Sequence, residues 1–315
     1  MSVYDIEPID LSGLRTIPIA ERGGKVSTAE FGRPYAAGSG IQGLLEGLPR
    51  ILAAEAFQAS IESILEARRK GRQIIWGMGG HVIKCGLAPI LIDLMRRGCA
   101  TAFAMNGSAS IHDFEIAIAG QTSEDVEAVL PGGRFGVAEE TGREWNCAAH
   151  SDEGLGEALG RALDRLAAPE FADSSLLVSA WRARTPLTVH VAFGTDTPHM
   201  HPAIDPAKLG AATHRDFRLF CSLVAGLHDG GVFINAGSAV VMPEVFLKAV
   251  SCVRNPGGDL SGFTTINMDF IQHYRPRVNV IERPHARAGG RGIALTGHHE
   301  IMIPLLAAAL IERTS

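Results

Sequence analysis

One pattern recurs along this chain and limits what it can fold into. A short apolar run ends in a glycine-containing polar turn, and a helical segment follows. It occurs at Gly77-Met78-Gly79-Gly80-His81, at Asn106-Gly107-Ser108, at Asn235-Ala236-Gly237-Ser238 and at Thr296-Gly297-His298. Apolar runs alternating with helical periodicity across short connections are the sequence signature of parallel βαβ units. The spacing predicts strands over Gln73–Trp76, Ala100–Met105, Leu187–Phe193, Val232–Ile234, Phe263–Phe270, Val278–Ile281 and Ile293–Leu295. Helices are expected over Leu48–Lys70, Ile83–Arg97, Ser110–Ala119, Glu153–Ala167, Phe217–Leu227, Pro243–Val253 and His298–Glu312. The expected fold class is α/β, a Rossmann-like, mostly parallel sheet with helices on both faces.

Pro8, Pro18 and Pro34 and many glycines make residues 1–47 an expected extended N-terminal arm, and residues 48–315 an expected single domain. Gly132 to Ser151 reads as a polar loop or flap, and Gly194 to Ala212 as a long loop of the kind that carries function.

Composition narrows the function classes. The formal charge is −5 and only five lysines occur, without a basic cluster, so a nucleic-acid partner is not expected. Five scattered cysteines with no CxxC pair suit a reducing compartment, and a cytoplasmic location is expected. The longest apolar run, Ile301 to Ile311, is about half the ~20 residues of a membrane span, so no membrane partner is expected.

In open parallel sheets, ligands bind beyond the carboxyl ends of the strands, where glycines let backbone amides approach an anion. That makes Gly79, Gly80, His81, Asn106, Gly107, Asn235, Gly237, Ser238, Gly297 and His298 candidates for cofactor binding. Gly77-x-Gly79 lacks the third glycine of the usual dinucleotide fingerprint. Asp113 and His112 fall just inside a helix N-terminus, where an acid can also serve the helix dipole. The loop Thr195 to Pro202 carries His199 and His201, with Asp205 and Asp216 beyond it. Such histidines are acid–base candidates, metal ligands or loop scaffolding. Catalytic candidates are therefore His112, His199, His201 and Lys84, the last as an anion contact or nucleophilic amine. Asp205, Asp216, Asn267 and Asp269 are candidate substrate contacts, and no metal set is assigned.

Several segments resemble the deoxyhypusine synthase-like superfamily. These are HVIKCGL (81–87), FAMNGSASIHDFEIAIAG (103–120), HPAIDPAKLG (201–210), GGVFINAGSAVVMPEVFLKA (230–249) and HHEIMIPLLAAAL (298–310). The resemblance implies NAD held at the strand ends, a small polar substrate such as an amine or amino acid, and a homotetramer built as a dimer of dimers. It sets Gly80, His81, Asn106, Gly107, Asp113, Gly237 and His298 near the dinucleotide, and Pro202 to Asp205 and Asn267 to Asp269 along the substrate pocket. The chain departs from the family at three points. Gly80-His81 replaces Ser-Asn, His298 replaces an aspartate, and YRPRVN (274–279) replaces the run that carries the covalent lysine. The expectation is an NAD-binding enzyme other than deoxyhypusine synthase itself. The alternatives are a metal-assisted hydrolase or lyase using the His199/His201 loop, and a non-catalytic ligand-binding protein.

Overall fold

The structure, a computed structural model, describes residues 3–286 and 289–314. Six strands form one sheet: β1 Ile74–Met78, β2 Ala102–Asn106, β3 Leu187–His190, β4 Val232–Ala236, β5 Thr264–Asp269 and β6 Arg291–Thr296. Their order is β3-β2-β1-β4-β5-β6, and every neighbouring pair is parallel. This is the doubly wound order, in which successive strands are added one way from β1 and the opposite way from β4, so the order of winding reverses between them.

The helices follow from burial. Helices α1 (Gly40–Gly47) and α2 (Leu52–Arg69) precede the sheet, and α3 (Gly80–Lys84) and α4 (Ala88–Arg96) link β1 to β2. Between β2 and β3 lie α5 (Gly107–Ala119), α6 (Val126–Val129), α7 (Glu139–Ala149), α8 (Leu155–Leu166), α9 (Pro169–Ala172) and α10 (Leu176–Arg182). Helices α11 (Pro206–Ala225) and α12 (Val241–Arg254) flank β4, α13 (Tyr274–Pro276) follows β5, and α14 (His299–Glu312) closes the chain. Side chains alternate across the sheet. Trp76, Met78, Phe103, Met105 and Ile234 join one core with α2, α4, α5, α8 and α14. Ile75, Ala104 and Phe233 join a second core with α11 and α12. Trp76 is fully buried and its indole N–H donates to the carbonyl of Cys99 at 3.2 Å, so the polar edge of the largest β1 side chain is satisfied.

Edge strand β3 is protected by α11. Asp216 accepts the Val189 N–H at 2.7 Å, while Thr213 donates to the Val189 carbonyl and accepts the Val191 N–H. These bonds occupy groups that an edge strand otherwise offers to another chain.

Several sequence expectations are corrected. Val278–Ile281 is not a strand but part of a π-helical turn, Arg277–Glu282. Its Val280 does face a core, but Asn279 donates to Glu244 of α12, and β5 already pairs with β6 on that side. Gly132–Ser151 is largely α7, whose Thr141, Trp145, Ala148 and Ala149 make a buried helical stripe that the preceding glycines obscured. The long loop after β3 is cut short, because α11 begins at Pro206, capped by Asp205. The expected helix from Ile83 breaks at Gly86, which adopts φ +74°. The described part of the arm, residues 3–47, is mostly exposed, yet it ends in α1, which buries Leu45. Among the described residues no helix is long and apolar enough to cross a membrane.

Candidate functional site

The strand order puts the ends of β1 and β4 side by side, and sequence explains how closely. A Cβ added at Gly79 would overlap the carbonyl oxygen of Gly237. The Gly79 N–H donates to the Ala236 carbonyl at 3.0 Å, the Gly237 N–H to the Met268 carbonyl at 3.1 Å, and the Gly297 N–H to the Asp269 carbonyl at 3.1 Å. Three strand-end glycines thus extend the ladder by one step each. Their amides are consumed in doing so. Any amides offered to a ligand are those of the residues that follow, at the starts of helices.

The next residue, Gly80, faces α5. A Cβ there would overlap the Ser108 hydroxyl and press on the His112 ring at 3.1 Å. His112 shares a 2.7 Å hydrogen bond between its Nδ1 and Thr122 Oγ1. Burial, with Lys84 nearby, lowers its pKa to about 4, so it is neutral at physiological pH. Lys84 itself is exposed at the end of α3.

On the β4–β6 side the site is a polar floor with an aromatic rim. Asn235 Nδ2 donates to Asn267 Oδ1 at 2.7 Å and to the Ser238 carbonyl at 3.0 Å. Asn267 donates in turn to Gln272. Ser238 Oγ accepts the Met242 N–H in the first turn of α12. Asp269 accepts the N–H of Phe270 at 2.8 Å. His299, fully buried, fills the space above Gly237, with its Cε1 3.0 Å from where a Cβ would stand. Its Nε2 lies 3.1 Å from the Met268 carbonyl. A carbonyl can only accept, so Nε2 carries the proton and Nδ1 is left as an acceptor. Burial lowers the pKa of this ring, which keeps it neutral. His299 Nδ1 and Asn235 Oδ1 are buried with no partner among the described residues. Above them the rings of His81, Phe270, His298 and His299 gather. His81 lies 5.6 Å from His299 and 5.9 Å from Phe270, and His298 stacks on Phe270 at 5.7 Å.

The β2 turn differs. Asn106 caps α5, accepting the Ala109 N–H at 2.9 Å, and a Cβ on Gly107 would overlap the carboxylate of Asp196. Asp196 is buried, which raises its pKa to about 6. His199 Nε2 lies 3.9 Å from it. The start of α5 therefore already faces an acidic group of this chain.

Other candidates are braces. Asp113 is fully buried and accepts from Ser175 Oγ at 2.6 Å, the Leu176 N–H at 2.8 Å and the Leu177 N–H at 2.9 Å. Its carboxylate caps α10 and does not face the crevice. Asp216 binds the Gly156 and Val189 N–H groups, and burial raises its pKa to about 7. Asp205 caps α11 and approaches His150 at 3.6 Å. His199 accepts the Gly194 N–H and stacks on Phe193. His201 accepts the Ala203 N–H and lies against Gly142 of α7. The two loop histidines thus have separate surroundings, and no three-ligand cluster among the described residues includes either.

The sequence marks the run His298-His299-Glu300 and favours His298 within it, whereas the buried ring is His299, and neither Phe270 nor the Ser108 hydroxyl is among its candidates. Phe270 had a signal, since it is the first residue past a strand whose alternation ends at Asp269. A separate cavity of about 660 Å³ lies at the opposite end of the sheet, lined by Trp181, Arg182, Pro186 and Leu187.

Neither a protein-family model nor a curated protein matches the sequence. Solved structures do match in fold. A conserved LOR/SDH-type protein from Methanococcus maripaludis S2 is 13% identical, with a TM-score of 0.53, over 84% of this chain and 70% of that one. AgrE, solved as a ternary complex with ornithine and NAD+, is 13% identical with a TM-score of 0.53, over 85% of this chain and 35% of AgrE. A proposed deoxyhypusine synthase from Entamoeba histolytica is 12% identical with a TM-score of 0.51, over 90% of this chain and 97% of that one. The likeness is one of fold: the chain shares its α/β fold with these structures, a proposed deoxyhypusine synthase among them, and the expected resemblance holds at that level. The chain spans about a third of the length of AgrE and of ArgZ, an arginine dihydrolase from cyanobacteria that also matches.

Proposed function

We propose that this chain is an NAD-binding enzyme acting on a small amine- or amino-acid-like substrate, and that it is not a deoxyhypusine synthase. The contact of Gly79 with Gly237 at the β1/β4 reversal carries the reading. A crevice outside the strand ends at such a reversal is where doubly wound folds receive dinucleotides. Gly79, Gly80, Gly237 and Ser238 would form the cradle, with Asn106 and Gly297 at its flanks. The fit is supported by two buried acceptors with no partner among the described residues, Asn235 Oδ1 and His299 Nδ1, which suit hydroxyl or amide donors of a bound ligand. NAD, when bound, supplies a hydride acceptor. The protein's part would be to orient it. Neutral His112 beside Gly80 would offer a hydrogen bond without charge, and Asn267 and Asp269 would stand toward the substrate. AgrE, with its bound ornithine and NAD+, supports the ligand pair. The absence of a lysine in YRPRVN (274–279) argues against the covalent chemistry of deoxyhypusine synthase. Homo-oligomer assembly belongs to the same proposal, and it would cover exposed Ile6, Ile9, Leu14 and Ile17 of the arm.

Titration calorimetry with NAD+ tests this. Wild type is expected to bind, Gly80→Val to lose at least ten-fold in affinity, and His214→Ala, exposed on α11, to match wild type. No binding of NAD+ or NADP+ by folded wild type would sink the proposal. Binding without turnover of any amine or amino acid would leave a ligand-binding protein.

A further inference from the structure

The rim of the crevice carries a group of side chains that the dinucleotide reading does not need. His81 and Cys85 are spaced i, i+4 along α3 and its C-terminal turn, which sets them on one face. Cys85 Sγ lies 3.3 Å from His81 Nε2. Glu300, in the first turn of α14, brings Oε2 to 3.7 Å from the same sulfur. One ligand atom from each residue lies within 4.8 Å of the other two. His81 and Glu300 are exposed and Cys85 is half-buried, so solvent reaches the cluster. His298 Nδ1 stands 3.8 Å from the other Glu300 oxygen.

We infer that His81 Nε2, Cys85 Sγ and a Glu300 carboxylate oxygen form a binding site for a divalent cation of zinc type, with the fourth position open at the mouth of the crevice. The ligand chemistry selects the ion. One thiolate, one imidazole and one carboxylate make a mixed S/N/O set, which zinc accepts and magnesium or calcium does not. The spacing selects the geometry. Bonds of about 2.0 to 2.3 Å in a tetrahedron set ligand atoms roughly 3.3 to 3.8 Å apart. The sulfur–nitrogen and sulfur–oxygen separations already fall in that range. The imidazole–carboxylate edge is within 4.8 Å, and the exposed Glu300 side chain leaves room for it to adjust. Binding replaces the Cys85 S–H bond by a sulfur–metal bond and releases one proton to solvent. The ion joins α3 to α14, two helices far apart in sequence. It also sets a Lewis-acidic position next to His81, whose ring is 5.6 Å from His299 above Gly237. The open position would take water or a carboxylate or amine of a small substrate.

The site stands independently of the dinucleotide, so it is tested with metal alone. The full chain, stripped with chelator, is titrated with Zn2+ against a chromophoric competitor and with Co2+ by absorption. Wild type is expected to bind one equivalent, to gain thermal stability with Zn2+, and to give the near-ultraviolet thiolate-to-cobalt band with intense tetrahedral visible bands. Cys85→Ser is expected to abolish the thiolate band and weaken Zn2+ binding at least 100-fold, Glu300→Gln to weaken it about 10-fold, and His214→Ala to leave it unchanged. Circular dichroism checks folding, and Glu300→Gln, an exposed change, covers the case in which Cys85→Ser does not fold. Failure of wild type to bind one equivalent, or an unaltered affinity in folded Glu300→Gln and Cys85→Ser, overturns the inference. A cobalt spectrum without the thiolate band overturns it as well.

Discussion

The turns after β1 and after β2 look alike in sequence, Met78-Gly79-Gly80 and Asn106-Gly107-Ser108, yet the fold treats them oppositely. At Gly79 the first meets backbone, the Gly237 turn of β4, at Gly80 it meets the neutral side chains of Ser108 and His112, and exposed rings rim it. The second is covered by the buried carboxylate of Asp196, and the helix it starts is braced further along through Asp113. A glycine turn at a strand end is thus a necessary element of an anion cradle and an insufficient one. What stands opposite the turn decides whether a ligand can enter.

The contrast can be broken experimentally. The largest effect is expected on the braced side. Asp113→Ala leaves one hydroxyl and two backbone N–H groups of α10 without their acceptor, at a cost of about 4 kcal/mol, read from urea denaturation. A loss below about 1 kcal/mol would mean that the α10 cap does not hold this side together.

A paired substitution sharpens the comparison directly. Gly79→Ala drives a methyl group into the Gly237 backbone and is expected to cost about 3 kcal/mol. Gly107→Ala meets only the end of the Asp196 side chain, which can turn away, and is expected to cost less than about 1 kcal/mol. Equal costs in thermal or chemical melts would erase the distinction between the two turns.

An effect smaller than that expected at Gly79 depends on pH. Burial raises the folded pKa of Asp196 from 3.8 to about 6. The folded state therefore holds a proton that the unfolded chain has released, and stability falls as pH rises through that window. Asp196→Asn does not titrate. Its stability relative to wild type should rise by on the order of 2 kcal/mol between pH 4 and pH 7, with Asp216 titrating alike in both proteins. A stability difference that stays constant over this range would show that the carboxylate over Gly107 is well solvated.

Much of the fold was legible in the chain. Residues such as Ile74 to Trp76 and Phe233 to Ile234 form apolar runs too short for helices, and each is followed by glycine and then by helical periodicity. Legibility failed where local pattern and packing disagree. Val278 to Ile281 alternates like a strand but turns as a helix, because Asn279 binds Glu244 and β6 already occupies the edge of β5. The α7 stripe at Thr141, Trp145 and Ala148 was hidden by Gly132, Gly133 and Gly136 just ahead of it.

For the site, the chain by itself determined which residues could line a strand end, since turn glycines and helix-starting polar residues act within a few positions of one another. Only the tertiary structure decided that β4 lies beside β1, that Asp196 covers Gly107, that Asp113 and Asp216 are spent on backbone amides, and that His299 rather than His298 is the buried ring. Those facts rest on contacts between residues far apart in sequence, and no short-range periodicity encodes which distant carboxylate or imidazole will fill a given space.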